Sequence, residues 1–281
     1  MGRGAGPPIL EGDVIGSTAS RTLERMTNHV EPRDGSFRED WAVLRRRLPR
    51  RQLVKWLAGA GLVAACGPAA SAGDCVLIPG ETAGPYPGDG TNGANALTES
   101  GVGRSNITSS FGALSGTAAG VPLTLTLTVV NTNTACAPAA GLAVYLWHCD
   151  RAGAYSLYTV TNQNYLRGLQ VTDANGQVTF QTIFPGCYSG RWPHAHFEVF
   201  ANQAAATSGR NALRTSQLAL PQSACAEVYA TSGYETSVTN LSRITLASDN
   251  VFSDGSAQQL ATVSGSPSAG LIASLVVPVA V

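Results

Sequence analysis

The chain has 281 residues, and its 18 basic and 18 acidic side chains leave no formal net charge. Residues 1–72 hold 11 of the basic residues but only seven of the acidic ones. The part after residue 72 therefore carries seven basic and eleven acidic residues, a net charge of −4, with no lysine after Lys55. Such a sparsely charged, acidic surface excludes nucleic acid as a partner.

The first 72 residues read as two segments that precede the folded domain. Residues 1–44 are polar and lack periodicity, so we expect them to be disordered or to include a misplaced start, with Met26 as the alternative. Residues 45–72 contain Arg50 and Arg51, a short apolar run and then small residues. This pattern predicts a twin-arginine export signal, and its apolar run is too short to span a bilayer.

Two processing sites compete within this signal, and both predict a periplasmic or extracellular protein. Residues 63–66 (VAAC) resemble a lipobox, which would leave Cys66 lipidated and the protein anchored to a membrane. Residues 70–72 (ASA) form an A-x-A signal-peptidase site, which would release a soluble protein.

The remaining residues, 73–281, are long enough for one domain with a full hydrophobic core. Short alternating segments dominate, turn signals such as DANG at 173–176 separate them, and long amphipathic helical periodicity is missing. These features predict an all-β, single-domain β-sandwich, around which the Gly/Asn/Ser-rich residues 88–115 wrap as an irregular arm. The predicted strands are 122–130, 142–148, 177–183, 194–200, 214–220, 243–247 and 273–281.

Five cysteines follow Cys66, and an oxidising compartment would favour disulfides among them. Because five is odd, at least one thiol stays free or pairs between chains, and the spacing leaves the pairing open. The five are Cys75, Cys136, Cys149, Cys187 and Cys225.

The segment PGCYSGRWPHAHF contains Tyr188, His194 and His196, and Tyr155 lies upstream. In a β-strand, residues two apart project from the same face, so the two histidines can act together. Zinc sites prefer Cys and His, and Fe(II) oxygenase sites use two His and a carboxylate. Phenolate is a hard anionic donor that favours Fe(III). An HxH pair taken alone is equally compatible with half-buried polar strand residues.

Residues 136–217 resemble the intradiol ring-cleavage dioxygenases, the family of catechol and protocatechuate dioxygenases. The resemblance rests on CAPAAGLAVYLWHCDRAGAYS, LRGLQVTDANGQVTFQTIFPGCYSGRWPHAHFEVF and TSQLAL. Two shorter segments, ETAGPYP at 81–87 and RSNI at 104–107, resemble the family's approach segment. In detail the chain is similar to an exported, single-chain branch of the family.

The resemblance implies a β-sandwich that holds non-haem Fe(III) and no organic cofactor. It implies a catechol-type substrate that is cleaved with O2 to a muconate-type diacid. Arg191 corresponds to an arginine that faces the bound ring, Gln217 to a glutamine near the substrate, and Tyr188 to the ligand that also serves as a base. The number of subunits stays open, with a homodimer among the options. The implied iron ligands are Tyr155, Tyr188, His194 and His196.

Alternatives to this ligand set also follow from the sequence. Tyr158 is the rival to Tyr155, which is preferred because it follows the small AGA turn. Cys187 stands where many relatives carry Trp, and we expect a packing or disulfide role for it. His148 reads as a core or neighbouring group. Two other classes of protein remain: a non-catalytic β-sandwich binding module of the cell envelope, and a copper or zinc protein that uses His148 with the HxH pair.

Overall fold

A computed structural model of the chain describes residues 75–281. The polar segment 1–44, the export signal 45–72 and the lipidation site Cys66 lie outside the described residues, so these predictions remain predictions. Within residues 75–281, no helix is both long and apolar enough to cross a lipid bilayer.

The described residues form mostly β-structure, with two short helices and a few 3-10 turns. The strands are β1 (Pro122–Asn131), β2 (Ala137–Pro138), β3 (Ala143–Trp147), β4 (Arg167–Val171), β5 (Gln177–Ile183), β6 (His194–Phe200), β7 (Arg214–Ala219), β8 (Thr262–Ser266) and β9 (Gly270–Val279). The helices are α1 (Gln222–Tyr229) and α2 (Glu235–Leu241).

The strands form two sheets, as predicted for a β-sandwich. In the five-stranded sheet, β1 pairs with β5 and β2 along one edge and runs parallel to β9 along the other, and β8 lies beyond β9. The four-stranded sheet has the order β4-β3-β6-β7 and is antiparallel throughout. The all-β sandwich prediction is confirmed.

The alternation of β1 shows why these segments form strands. In PLTLTLTVVN the leucines are buried and the threonines are partly exposed. Leu125, Leu127 and Val129 face the main core, where Phe180 of β5 and Phe197 of β6 meet them from both sheets. Burial of a single such side chain contributes roughly 1.5–3 kcal/mol, so one face of each sheet is fixed against the other.

A second hydrophobic cluster lies on the outer face of the four-stranded sheet. The predicted arm, residues 88–115, contains only one 3-10 turn (Ala96–Thr98) and isolated bridges. Its apolar side chains, Leu97 and Phe111 among them, pack with Tyr145 and Trp147 of β3. The arm therefore encloses the outer surface of this sheet.

One predicted strand is wrong, and several elements were not predicted. Residues 243–247 form turns after α2, with Ile244 packed at the edge of the core. The strand β4 was not predicted, because Arg167 and Gly168 interrupt the apolar alternation of its sequence, although Arg167 is buried. The helices have eight and seven residues, too few to display a helical period.

One disulfide, Cys75–Cys136, ties the first described residue to the turn after β1. The cysteines Cys149, Cys187 and Cys225 are buried free thiols, so three of the five predicted candidates are unpaired within residues 75–281. The disulfide closes a loop between residues 61 positions apart, which restricts the unfolded chain.

We expect the double replacement Cys75→Ser/Cys136→Ser to lower the unfolding free energy by about 2–4 kcal/mol, because the unfolded state regains loop entropy. Urea unfolding with and without a reductant measures the effect. Reductant should destabilise the wild type and leave the variant unchanged. Equal stability of the two oxidised proteins would contradict the expected role of this disulfide.

His148 is buried between the sheets with both ring nitrogens engaged. Its Nδ1 donates to the carbonyl of Cys149, and its Nε2 lies 2.7 Å from the Thr182 hydroxyl. Burial, above all, lowers the pKa of His148 to about 4. The His148 imidazole is therefore protonated below about pH 6.5 in the unfolded chain, but only below about pH 4 in the folded protein.

Stability should accordingly fall as the pH drops from 6.5 towards 4, and His148 should account for about 2–3 kcal/mol of that fall. Urea unfolding of the metal-free protein at pH 7 and pH 4.5 tests this. The variant His148→Asn is expected to be weaker at pH 7 but to lose less on acidification. Other titrating groups cancel in this comparison, and parallel losses in both proteins would rule out the assignment.

Candidate metal centre

His194 and His196 lie at the start of β6 and project from the outer face of the four-stranded sheet. The intervening Ala195 faces the main core, as the alternation of a strand requires. Both imidazoles are about 2% exposed, and their Nε2 atoms are 3.0 Å apart. The register of the sheet places Trp147 of β3 opposite His196.

The two tyrosines reach this pair from two separate loops. The phenolic oxygen of Tyr155 lies 3.5 Å from Nε2 of His194 and 3.3 Å from Nε2 of His196. The oxygen of Tyr188 lies 3.2 Å from Nε2 of His194. Tyr155 is buried and Tyr188 is partly exposed, so the cluster is open to solvent on the Tyr188 side.

Local turn chemistry explains how Tyr155 and Tyr188 come together. The Asp150 carboxylate accepts from the amides of Ala152 and Ala154, which closes the turn before Tyr155. Gly153 in this turn has φ +84°, and a Cβ there would lie 2.9 Å from Cβ of Tyr188. A glycine is required both by the backbone conformation and by this contact.

Hydrogen bonds fix the orientation of His194, and stacking fixes that of His196. Nδ1 of His194 donates to the carbonyl of Trp192 at 2.5 Å, which leaves Nε2 as the lone-pair donor. The His196 ring stacks on Trp147 with centroids 4.9 Å apart and an interplanar angle of 5°. Its Nδ1 has no hydrogen-bond partner among residues 75–281.

The electrostatics of the site favour the neutral forms of His194, His196 and Tyr155. Burial, reinforced by the charge of Arg191, holds the pKa of His194 well below its usual value, and burial together with His194 does the same for His196. Burial, followed by the neighbouring Tyr188, raises the pKa of Tyr155 well above its usual value. Neutral imidazole is the form that binds metals, whereas phenol must lose its proton to bind.

The geometry of the four donors fits one bound metal ion. Ligand atoms about 2.1 Å from a common ion, separated by angles of roughly 90–110°, lie about 3.0–3.4 Å apart. Four of the six donor pairs, namely Tyr155 with each histidine, Tyr188 with His194, and the two histidines, are 3.0–3.5 Å apart. No group of three or more His, Cys, Asp or Glu side chains within residues 75–281 is arranged to hold a metal, so a site here must use the tyrosines.

The other tyrosines in this region are engaged elsewhere. The Tyr158 hydroxyl accepts from the amide of Gly88 at 2.9 Å and donates to Oδ1 of Asn92 at 2.7 Å. The Tyr165 hydroxyl donates to Asp150 at 3.3 Å. Tyr158 therefore binds the arm, and it is Tyr155 whose oxygen meets the imidazoles.

His148 and Cys187 are likewise turned away from the donor cluster. Both nitrogens of His148 are occupied by Cys149 and Thr182, which removes the third imidazole that a His-only copper or zinc site would need. The Cys187 thiol lies 3.5 Å from the carbonyl of Arg191 as a hydrogen-bond donor. Both side chains thus have packing roles, as expected from the sequence.

Arg191 and Gln217 are brought together beside the histidines. Gln217 lies opposite His196 in the register between β6 and β7. Its Oε1 accepts from Nη2 of Arg191 at 2.7 Å, and its Nε2 donates to the carbonyl of Thr82 at 2.9 Å. Arg191 is 2% exposed and forms an ion pair with Asp249, whose Oδ2 is 3.0 Å from Nε.

Asp249 was not singled out by the sequence analysis. It lies in the loop after α2, far from the HxH segment along the chain, and SDNVF looks like any polar turn. Its position beside Arg191 depends on tertiary contacts alone.

The segment ETAGPYP of residues 81–87 covers the cluster from the arm side. Gly84, with φ +70°, lies against His196, and a Cβ there would be 3.3 Å from Cε1 of the ring. The Tyr86 ring packs on Tyr155, with centroids 5.2 Å apart. Arg167 holds this segment, because its Nη1 and Nη2 donate to the carbonyls of Pro87 and Tyr86.

Comparison with known proteins finds similar dioxygenases. The family model Dioxygenase_C, described as Dioxygenase, matches residues 105–234. An intradiol ring-cleavage dioxygenase from Tetranychus urticae is 29% identical over 73% of this chain and 95% of its own, with a TM-score of 0.58. The dioxygenase Tetur07g02040 is 28% identical over 74% of this chain and 95% of its own, with a TM-score of 0.59.

No protein with a curated description matches the chain. The two solved structures nevertheless share both the fold and more than a quarter of their aligned residues with it. The family model spans the loops and strands that carry Tyr155, Tyr188, His194 and His196. The chain is similar to the Dioxygenase family over residues 105–234, and its fold is similar to that of solved dioxygenases, among them an intradiol ring-cleavage dioxygenase.

Proposed function

We propose that the protein is a non-haem Fe(III) dioxygenase that cleaves catechol-type rings with O2 to muconate-type diacids. The observation that supports the proposal is the convergence of two phenol oxygens and two imidazole nitrogens, in which each phenol oxygen lies 3.2–3.5 Å from Nε2 of His194 and the two Nε2 atoms are 3.0 Å apart. Tyr155, Tyr188, His194 and His196 would hold the iron. Bound ferric iron would act as a Lewis acid and as a template for the catechol oxygens.

The two tyrosines have different surroundings, which supports different roles. Tyr155 is buried under Tyr86 and is held in place by its ring contacts. Tyr188 is partly exposed, and its side chain is the one that a ligand arriving from solvent meets first. We assign to the Tyr188 oxygen the acceptance of a proton from a catechol hydroxyl, a general-base role.

Arg191 supplies positive charge beside the reacting ring. The guanidinium is buried and fixed between Asp249 and Gln217, so its position requires no reorganisation during the reaction. A preorganised cation in a water-poor site stabilises negative charge that develops on the ring. Gln217 orients this guanidinium and, through Thr82, connects it to the segment 81–87.

We further propose that the protein acts outside the cytoplasm, on catechols such as those derived from lignin or plant phenols. The twin-arginine pattern around Arg50 and Arg51 supports export. The disulfide Cys75–Cys136 supports it as well, because such bonds persist in oxidising compartments. Lipidation of Cys66 would anchor the protein to a membrane.

The proposal is tested by supplying iron to the full-length protein and measuring its metal content and visible spectrum before and after adding catechol. We expect nearly one iron per chain, a tyrosinate-to-Fe(III) charge-transfer band that shifts on catechol addition, and conversion of catechol under air. A protein that stays colourless after iron reconstitution would sink the proposal. An iron-loaded protein that cleaves none of a panel of catechols would sink the catalytic part alone.

Replacement of single ligands should separate the donor set from its neighbours. We expect His194→Ala and His196→Ala to lower kcat/KM for ring cleavage by roughly 100-fold or more, because each removes a donor from the metal. Tyr155→Phe should weaken the charge-transfer band, whereas Tyr158→Phe, the matched control, should retain both band and turnover. Iron content, spectra and oxygen uptake measure these effects. Normal turnover in either alanine variant would refute the ligand assignment.

A further inference from the structure

Asp249 is a fully buried carboxylate whose oxygens are surrounded by donors from two parts of the chain. Its Oδ1 accepts from the amides of Val251 and Phe252 at 2.8 and 3.1 Å. Its Oδ2 accepts from Nε of Arg191 at 3.0 Å and from the amide of Trp192 at 2.7 Å. One side chain thus joins the loop after α2 to the segment that precedes the HxH pair.

The contact with Arg191 determines the direction of the guanidinium. Asp249 binds the Nε edge, with Oδ1 also 3.5 Å from Nη2, and Gln217 accepts from Nη2 at 2.7 Å. The guanidinium is planar, so two acceptors along one edge fix its plane as well as its position. Asp249 therefore fixes the guanidinium along its Nε edge, and Gln217 adds one contact at Nη2.

A second path leads from Asp249 to the histidine ligand set. The amide of Trp192 donates to Asp249, and the carbonyl of the same residue accepts from Nδ1 of His194. The Trp192 indole is held independently, because its Nε1 donates to the carbonyl of Leu220 at 2.8 Å. Loss of the Asp249 contact should therefore disturb Arg191 more than His194.

We propose that Asp249 is a positioning residue for ring cleavage, which aims the Arg191 guanidinium at the substrate site. The inference rests on the proposed function, since it assigns Asp249 a role in that same reaction. Asp249 is not a catalytic residue, because it acts through Arg191. Its effect should appear in the chemical step more than in the retention of iron or the binding of catechol.

The variant Asp249→Asn tests this role, because asparagine keeps the shape but offers one acceptor oxygen for donors on two sides. Asp249→Glu retains the charge and moves the carboxylate by one methylene. It takes the place of Asp249→Asn in the test if that variant does not fold, because removing one partner of a buried ion pair is destabilising. Val277→Ala, at a fully buried position of β9, is the control for lost stability alone.

We expect Asp249→Asn, compared with the wild type at equal iron content, to lower kcat about 10–100-fold. The dissociation constant for catechol, measured without oxygen from the shift of the visible band, should change less than about threefold, and the band itself should remain. Val277→Ala should lower the melting temperature without lowering kcat. Because Asp249 acts through the Arg191 guanidinium, the kcat of the double variant Arg191→Ala/Asp249→Asn should be no more than about threefold below that of Arg191→Ala.

Two results would overturn the inference. One is a kcat for iron-loaded Asp249→Asn within about twofold of the wild type. The other is a double variant whose fold-loss in kcat equals the product of the losses in the two single variants. If the wild type binds iron but cleaves no catechol, the proposed function itself fails. An active wild type with an equally active Asp249→Asn removes only the role of Asp249.

Discussion

The division of β6 between two faces is the constraint on which the rest of the site depends. Its odd-numbered residues, Ala195, Phe197 and Val199, belong to the main core, so His194 and His196 must face the other side of the sheet. A slip of one residue in the pairing with β3 would exchange these faces and bury both imidazoles among aliphatic side chains. The same apolar contacts that stabilise the sandwich therefore keep the two Nε2 atoms together.

The outer face of a sheet is normally exposed to solvent, and here the arm and the segment 81–87 cover it. Arg167 anchors the segment 81–87, since it is buried and donates to the backbone carbonyls of Tyr86 and Pro87. Gly84 of this segment fits against His196, where any side chain would crowd the ring. The segment 81–87 is thus as much a wall of the site as the sheet is, although it contributes no ligand.

Much of this architecture could be predicted from the sequence, because the signals were local. The strands at 177–183 and 194–200 alternate clearly, and their predicted bounds match β5 and β6. The four donor side chains could be chosen because family resemblance marked them in short segments. Asp249, β4 and the segment 243–247 could not be predicted correctly. The position of Asp249 depends on a buried ion pair, β4 on a buried arginine, and the segment 243–247 on packing at the edge of the core. In each case the partners are distant in sequence.

The parallel pairing of β1 with β9 has a consequence for biosynthesis. Partners such as Leu123 and Leu271 are 148 residues apart, whereas the whole four-stranded sheet lies between them in the chain. A ribosome therefore completes the sheet that carries His194 and His196 before it makes the strand that β1 needs on its open edge. Until then the edge of β1 that pairs with β9 is exposed, and an unpaired strand edge is a condition under which nascent β-proteins aggregate or recruit chaperones.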